Sequence, residues 1–333
     1  MVSPKDVAAS TLLDMIDPEL RDAAETLRLE MSRFSPMSLE LLAERRAWIA
    51  SRQEEPLSEP PISLRRIARA AAPDLVLYVV NARSGDAKPG ILHMHGGGFT
   101  TGTALGSLRR LQKLAAELDC TIVTVDYRLA PEATFKESTE DDYASLLWMH
   151  LHASEIGVDP DRIAILGESA GGGHAALLTS NARDRGEVPV LFQMLVYPML
   201  DDRTGSSRIV PEHMGAFGWS ADDNRFGWQC FLGQEPGARH VPTEAVPARR
   251  SDLRGLPPTF IAVGALDLFV DECVNYARRL IDDRVPTELL VVPGAFHGFD
   301  TAAPGAAVSQ RFTSARVAAL KRAFVAPSPR EQE

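Results

Sequence analysis

Cysteine is scarce: Cys120, Cys230 and Cys273 are the only three in 333 residues. They are odd in number and widely spaced, and they form no CxxC pair. That excludes a disulfide-stapled secreted module and suits a reducing, cytoplasmic location. Long apolar runs are missing as well. The longest stretch free of Asp, Glu, Lys and Arg runs from Pro89 to Leu108, and six glycines and two histidines interrupt it. No spanning helix is expected there, and so no integral membrane association. Positive charge is in deficit, since 35 Lys plus Arg against 45 Asp plus Glu leave a net charge of −10. A chain so charged gains nothing from nucleic acid or an anionic surface. The N-terminus, MVSPKDVAASTLLDMIDPEL, carries Asp6, Asp14, Asp17 and Glu19 and has no continuous apolar core. It does not read as a signal peptide.

Apolar material is otherwise ample, at 45% of residues, which is enough for a large core. Residues 1–55 read as helices, with Leu12, Leu13, Ile16 and Leu20 at helical spacing and Leu39, Leu42 and Trp48 in a second segment. Three prolines in EEPLSEPPIS then mark a linker. Beyond it, strand-like runs at 62–69, 74–80, 90–95, 121–127, 162–167, 190–197, 259–265 and 287–292 alternate with helical stretches. The helical stretches fall at about 104–118, 138–154, 170–185, 271–283 and 306–324. Alternation of this kind predicts a mainly parallel sheet covered on both faces, with the first two strands as an antiparallel edge. Residues 203–250 are too long for a crossover, and Met214, Phe217, Trp219, Phe226, Trp228 and Phe231 lie among turn residues. They are expected to form a helical insertion over one end of the sheet, joined there by the N-terminal helices. The acidic trio Glu140, Asp141 and Asp142 is expected to cap the helix at 138–154.

Gly167-Glu168-Ser169-Ala170-Gly171-Gly172 follows an apolar strand and opens a helical stretch. A G-x-S-x-G in that context is a nucleophile elbow, a sharp turn that lifts a serine hydroxyl clear of the backbone. The alternative is a tight turn or an anion-binding helix start. His95-Gly96-Gly97-Gly98-Phe99 follows another strand. Its glycine N–H groups can point at a developing oxyanion, where each donor is worth about 3–4 kcal/mol. A serine nucleophile needs a base and the base an acid, met in the chain order Ser, Asp or Glu, His. Of the later histidines, His174 lies within the helix after the elbow, and His213 and His240 lie in the insertion. His297 sits in a glycine-bounded loop after the last strand, the position that suits a base. Asp267 ends the strand 259–265 and is preferred as the acid, although a strand-end carboxylate can also cap a helix. Asp271, beside Glu272, looks like the acidic start of the next helix and is the second choice. The H-x-H pair His93/His95 has no ligand set around it in the sequence, so no metal is expected.

The combination HGGGF at 95–99, DYRLAPE at 126–132, GESAGG at 167–172, YP at 197–198, GALD at 264–267 and FHGF at 296–299 resembles the hormone-sensitive-lipase-like carboxylesterases, the bacterial family IV esterases of the α/β-hydrolase fold. The motifs span about residues 75 to 300. The resemblance implies one α/β-hydrolase domain at 56–330, with a mostly parallel eight-stranded sheet, helices on both faces and a helical cap. The cap is built from 1–55 and from an insertion at about 203–250. It implies Ser169 as nucleophile, Asp267 as acid and His297 as base, and an oxyanion hole from the N–H groups of Gly97, Gly98 and Ala170, with His95 structural. Phe99, Phe217 and Trp219 are expected to line the substrate pocket. The implied substrate is a small, short- to medium-chain ester, with no cofactor. An amidase or deacetylase would use the same triad. A non-catalytic ligand-binding relative lacks the histidine that is present here. Dimerisation through the last strand, 287–292, is also implied. Two positions depart from the family pattern: Glu168 stands where Asp or Thr is commoner, and Leu268 where Pro is common. The segment after Pro131 also lacks a second proline.

Overall fold

The computed structural model describes residues 12–69 and 72–325. Residues 1–11 of the expected cap segment and 326–330 of the expected catalytic domain lie outside the described residues. The strands are β1 (Ile62–Ile67), β2 (Leu75–Val80), β3 (Lys88–Met94), β4 (Thr121–Asp126), β5 (Val158–Glu168), β6 (Phe192–Val196), β7 (Thr259–Gly264) and β8 (Thr287–Val292). Each falls on an expected run. Among the described residues they form one eight-stranded sheet in the order β1-β2-β4-β3-β5-β6-β7-β8. β2 runs antiparallel to both β1 and β4, and every other pair is parallel. The antiparallel edge is therefore as expected. Every residue of β6 and of β7 is buried, the condition under which strands lose apolar–polar alternation.

The helices are α1 (Arg21–Met31), α2 (Leu39–Ala50), α3 (Leu108–Leu118), α4 (Phe135–Leu151), α5 (Ala153–Ile156), α6 (Ala170–Arg185), α7 (Ala221–Leu232), α8 (Val270–Asp282), α9 (Phe299–Ala302) and α10 (Ala307–Val325). α3 packs with α10, and α4 with α6. α3 turns Leu108, Leu111 and Ala115 inward and stops at Asp119, which takes the left-handed conformation at φ 48°.

α4 corrects one expectation. It starts at Phe135, and its cap is Thr134 with Glu137: the Glu137 carboxylate accepts from the Thr134 N–H at 2.8 Å. Glu140, Asp141 and Asp142 therefore lie a turn beyond the end they were expected to cap. Asp141 instead accepts from the Arg128 guanidinium at 2.8 and 2.9 Å, from the Arg128 N–H at 2.9 Å, and from Arg69. This ties the segment after β4 to α4. The insertion is also less helical than expected. Residues 203–250 are mostly turns, with α7 and two single-turn 3₁₀ pieces at Thr243–Ala245 and Pro247–Arg249. Seven glycine, proline and small polar positions between 203 and 220 break the helical period there.

α2 lies against this insertion. Phe34, Met37 and Leu42 bury a small apolar cluster with Trp48 and with Phe226 of α7. Arg46 anchors α2 to the sheet side. Its guanidinium donates to the carbonyls of Thr100 (2.8 Å) and Ala130 (3.0 Å) and to Glu132 (2.6 and 2.8 Å). The N-terminal helices thus meet the insertion above the carboxyl ends of the parallel strands, where ligands bind in open α/β sheets.

Candidate active site

β5 runs up the middle of the sheet and delivers Ser169 at the start of α6. Its backbone is strained, with φ 57° and ψ −121°, a region that non-glycine residues rarely occupy. The turn is held from both sides: the Ser169 N–H donates to Val196 O at 2.9 Å, and Ser169 O accepts from Met199 N at 2.9 Å. The flanking glycines are steric requirements. A Cβ on Gly167 would lie 2.0 Å from Gly171 O, and one on Gly171 would lie 2.1 Å from Met94 O. A side chain at 167 would strike the first turn of α6, and one at 171 would push the elbow off β3.

His297 comes from the loop after β8 and Asp267 from the loop after β7. His297 Nδ1 lies 2.8 Å from Asp267 Oδ2, and Nε2 lies 3.0 Å from Ser169 Oγ. With Nδ1–H donating to the carboxylate, Nε2 is free to accept the serine hydroxyl. The other Asp267 oxygen accepts from Phe269 N at 2.9 Å, and the residue is wholly buried. Aromatic rings fix the imidazole plane, with Tyr197 at 4.8 Å and Phe269 at 5.1 Å, both edge-on. Asp271, the second choice for the acid, pairs with Arg208 at 2.7 Å on the surface. His174 bonds Asp142 at 2.6 Å in the core. Neither belongs to the cluster around Ser169.

The glycine loop after β3 lies against the elbow. A Cβ on Gly96 would sit 3.0 Å from Glu168 O and 3.3 Å from Ser169 Cβ. Gly97 and Gly98 take φ of 134° and 59°. Among the described residues, their N–H groups donate to no protein acceptor. Ala170, the first residue of α6, has no intrahelical acceptor for its own. Three donors are thus unspent within the protein, in the loop that abuts Ser169 and in the residue after it, which suits an oxyanion. His95 supports this loop from below. It stacks on Tyr127 at 4.3 Å, and burial pushes its pKa down to about 3, so it is neutral and is not a base. Tyr127 Oη donates to His95 O at 2.6 Å.

Of the three expected pocket residues, Trp219 and Phe217 lie near the triad. The Trp219 ring abuts Gly98, and Phe217 packs 6.1 Å from Phe296, the neighbour of His297. Phe99 departs from the expectation. Its ring is enclosed by Phe231 at 4.0 Å, Trp228 at 4.9 Å and His174 at 5.4 Å, and it packs the core beneath the loop. The positive φ of Phe99, 65°, turns the side chain inward.

Behind the serine lies a charged cluster that the sequence hardly announces. Glu168 Oε2 lies 2.7 Å from His93 Nε2, and Oε1 accepts from Arg110 at 3.3 Å and Arg316 at 3.2 Å. Burial alone would raise the Glu168 carboxyl, but His93, Arg110 and Arg316 outweigh it and hold it below the usual carboxylate range. Arg316 also pairs with Asp300 at 3.0 Å, and Asp300 accepts from Tyr197 Oη at 3.0 Å. A continuous network thus joins residue 168 to the ring that flanks His297. Glu168 is visible in the sequence only as the variable residue of the serine motif. Arg110, Asp300 and Arg316 carry no local signal, because the fold alone brings them together. Glu168 also occupies the His93 nitrogen that an H-x-H metal site would need. Among the described residues, no group of three His, Cys, Asp or Glu is placed to hold a metal.

The sheet order, the strained serine between β5 and α6, and the loops after β3, β7 and β8 define an α/β-hydrolase. The α/β-hydrolase fold family model matches residues 91–301. The esterase LipI of Mycobacterium tuberculosis is 32% identical over 217 residues, which cover 63% of this chain and 65% of LipI. The carboxylesterase NlhH of the same organism is 34% identical over 250 residues, 72% of this chain and 75% of NlhH. A solved bacterial heroin esterase superposes with a TM-score of 0.81 at 35% identity, covering 94% of this chain and 99% of that one. The chain belongs to the hormone-sensitive-lipase-like carboxylesterases of the α/β-hydrolase superfamily.

Proposed function

We propose that this chain is a serine carboxylesterase that cleaves short- to medium-chain carboxylic esters through an acyl-enzyme. The observation that carries the reading is the unbroken chain Ser169 Oγ, His297, Asp267, at 3.0 and 2.8 Å. His297 Nε2 takes the Ser169 proton as Oγ attacks the ester carbonyl. The oxyanion is received by the N–H groups of Gly97, Gly98 and Ala170. Asp267 holds the imidazole tautomer and stabilises its cation. The tetrahedral intermediate expels the alcohol, which leaves with the proton from His297. Water, deprotonated by the same nitrogen, then attacks the acyl carbonyl and frees Ser169. No step calls for a cofactor.

Chain length is set in this reading by α2, α7 and the turns of 203–220, acting as a cap over the strand ends. Three unpaired cysteines, two of them buried, fit a cytoplasmic enzyme. A second copy would pair along β8, the open edge of the sheet, where Glu288 and Val291 are exposed. Sedimentation checks that pairing, and a monomer at micromolar concentration overturns it.

The test of the reaction is Ser169→Ala together with a serine-directed phosphonate. Hydrolysis of p-nitrophenyl butyrate should fall by about 10⁴-fold or more, with the folding transition retained. The phosphonate should label one peptide, the one that contains Ser169. Labelling elsewhere, or substantial turnover by the alanine variant, overturns the assignment.

A further inference from the structure

Arg45, on α2, is a charged residue at 3% exposure. Its Nε and Nη1 are buried and reach no acceptor. The carboxylate that acts on it is Asp223, whose Oδ1 already accepts from the Met37 N–H at 2.9 Å. Burial lowers the guanidinium pKa and Asp223 opposes the shift, but arginine stays charged in proteins. A buried cation with idle donors is costly unless something completes its hydrogen bonds.

Its position indicates what that is. The Arg45 guanidinium carbon stands 5.5 Å from the centroid of the Trp219 ring. The edge of the same indole fills the space beside Gly98, where a Cβ would lie 2.1 Å from Trp219 Cη2. Trp219 Nε1 is held by Asn224 Oδ1 at 3.3 Å, so the ring is fixed between the two. Gly98, whose N–H is assigned to the oxyanion hole, and Arg45 therefore share the Trp219 indole as a neighbour.

We propose that Arg45 is the receptor for a free carboxylate on the substrate, so that this esterase accepts half-esters of short dicarboxylic acids. The proposal rests on the ester-hydrolysis reading above and names the substrate class of that same site. A guanidinium fork matches a carboxylate in planar, bidentate geometry. The Trp219 ring supplies an apolar wall for the methylenes between ester and carboxylate. A neutral acyl chain of the same length would end against unsatisfied N–H groups, and selectivity against it follows from leaving buried donors unpaired.

The test compares mono-p-nitrophenyl glutarate with p-nitrophenyl hexanoate on the wild-type protein and on Arg45→Met and Arg45→Lys. The kcat/KM ratio of the anionic to the neutral ester should fall about 10- to 100-fold in Arg45→Met, chiefly through KM. Arg45→Lys should keep part of the preference, because it keeps the charge and loses the fork. It also carries the comparison if the methionine variant does not fold. Calorimetric binding to the Ser169→Ala protein makes the inference independent of turnover. Monophenyl glutarate should bind more tightly than phenyl hexanoate, and the preference should vanish when Arg45→Met is added. Equal losses on both esters, or no preference in either assay before substitution, overturn the proposal and leave Arg45 a packing partner of Trp219 and Asp223. If glutarate half-ester binds but neither ester is cleaved, hydrolysis is overturned and the carboxylate site stands.

Discussion

Asp267 and Arg45 are both charged and both withdrawn from solvent, at 0% and 3% exposure, yet their surroundings are opposite. Asp267 has its oxygens occupied, by Phe269 N and by His297 Nδ1. Arg45 has two buried nitrogens with nothing to meet them. The first arrangement suits chemistry, because a general base must be held in one tautomer before substrate arrives. The second suits recognition, because binding energy is available only from groups not already satisfied within the protein. Asp267 is satisfied within the protein, and on the proposal above Arg45 is satisfied by a ligand. Gly98 is the seam between the triad side and Arg45, with its bare Cα pressed against Trp219.

Breaking that seam should give the largest effect. Gly98→Ala places a Cβ 2.1 Å from Trp219 Cη2 on a backbone with φ 59°. Either the loop or the indole must move, and an oxyanion donor moves with the loop. kcat/KM for p-nitrophenyl acetate should drop about 10²- to 10³-fold, as for loss of one such donor. Gly98→Ala combined with Trp219→Ala should recover part of the loss, because the indole is no longer in the way. A double variant no better than Gly98→Ala alone would locate the fault in backbone strain rather than at the seam.

The serine end was legible because strain and close packing leave few residue choices. Gly167, Gly171 and Gly96 are needed where a Cβ would strike backbone at 2.0 to 3.0 Å, so they leave a readable motif. The strands were legible because burial on both faces removes alternation. What could not be read depends on long-range proximity. Arg316 meets Glu168 across 148 positions and Met37 meets Asp223 across 186, and no local pattern encodes such pairs. Phe99 was misread because its place after the glycines suggests a pocket, whereas its positive φ turns the ring into the core. The acidic trio was misread for a related reason. Asp141 and Asp142 serve Arg128 and His174, partners that no helix-capping rule anticipates.

The second effect contrasts two buried glutamates, Glu168 and Glu272. Glu168 has three cationic or imidazole partners, and its carboxyl is held below the ordinary glutamate value of 4.5. Its contribution to stability is therefore present above about pH 4.5 and is lost as pH falls through the lower folded value. Glu272 is raised well above 4.5, by burial first and by Asp201 next, against the Leu200 N–H at 2.7 Å and Thr204. Its contribution is full below about pH 4.5 and declines as pH rises through the higher folded value. Glu168→Gln removes the carboxylate that pairs with Arg110 and one of the two that pair with Arg316, and should cost about 3–5 kcal/mol at pH 7. Thermal unfolding should show that gap narrowing below pH 4.5. For Glu272→Gln the stability relative to wild type should instead improve from pH 5 to pH 8. Parallel curves for the two variants would remove the distinction.

The smallest effect tests the cap alone. Trp219 contacts Gly98 on one side and Arg45 on the other, so Trp219→Ala opens space without touching Ser169, Asp267 or His297. Each methylene buried in that space contributes about 0.8 kcal/mol, close to a fourfold gain per carbon while room lasts. A closed wall ends the series early, because a longer chain must displace the indole. Among neutral esters wild type should therefore favour p-nitrophenyl acetate through hexanoate and fall off beyond. In Trp219→Ala the optimum should move two or more carbons longer, while acetate, too short to reach the wall, loses only a few-fold. The measurement is kcat/KM across acyl lengths for both proteins. A uniform drop at every length would assign Trp219 to holding the Gly98 loop, and an unchanged profile would take it out of the acyl path.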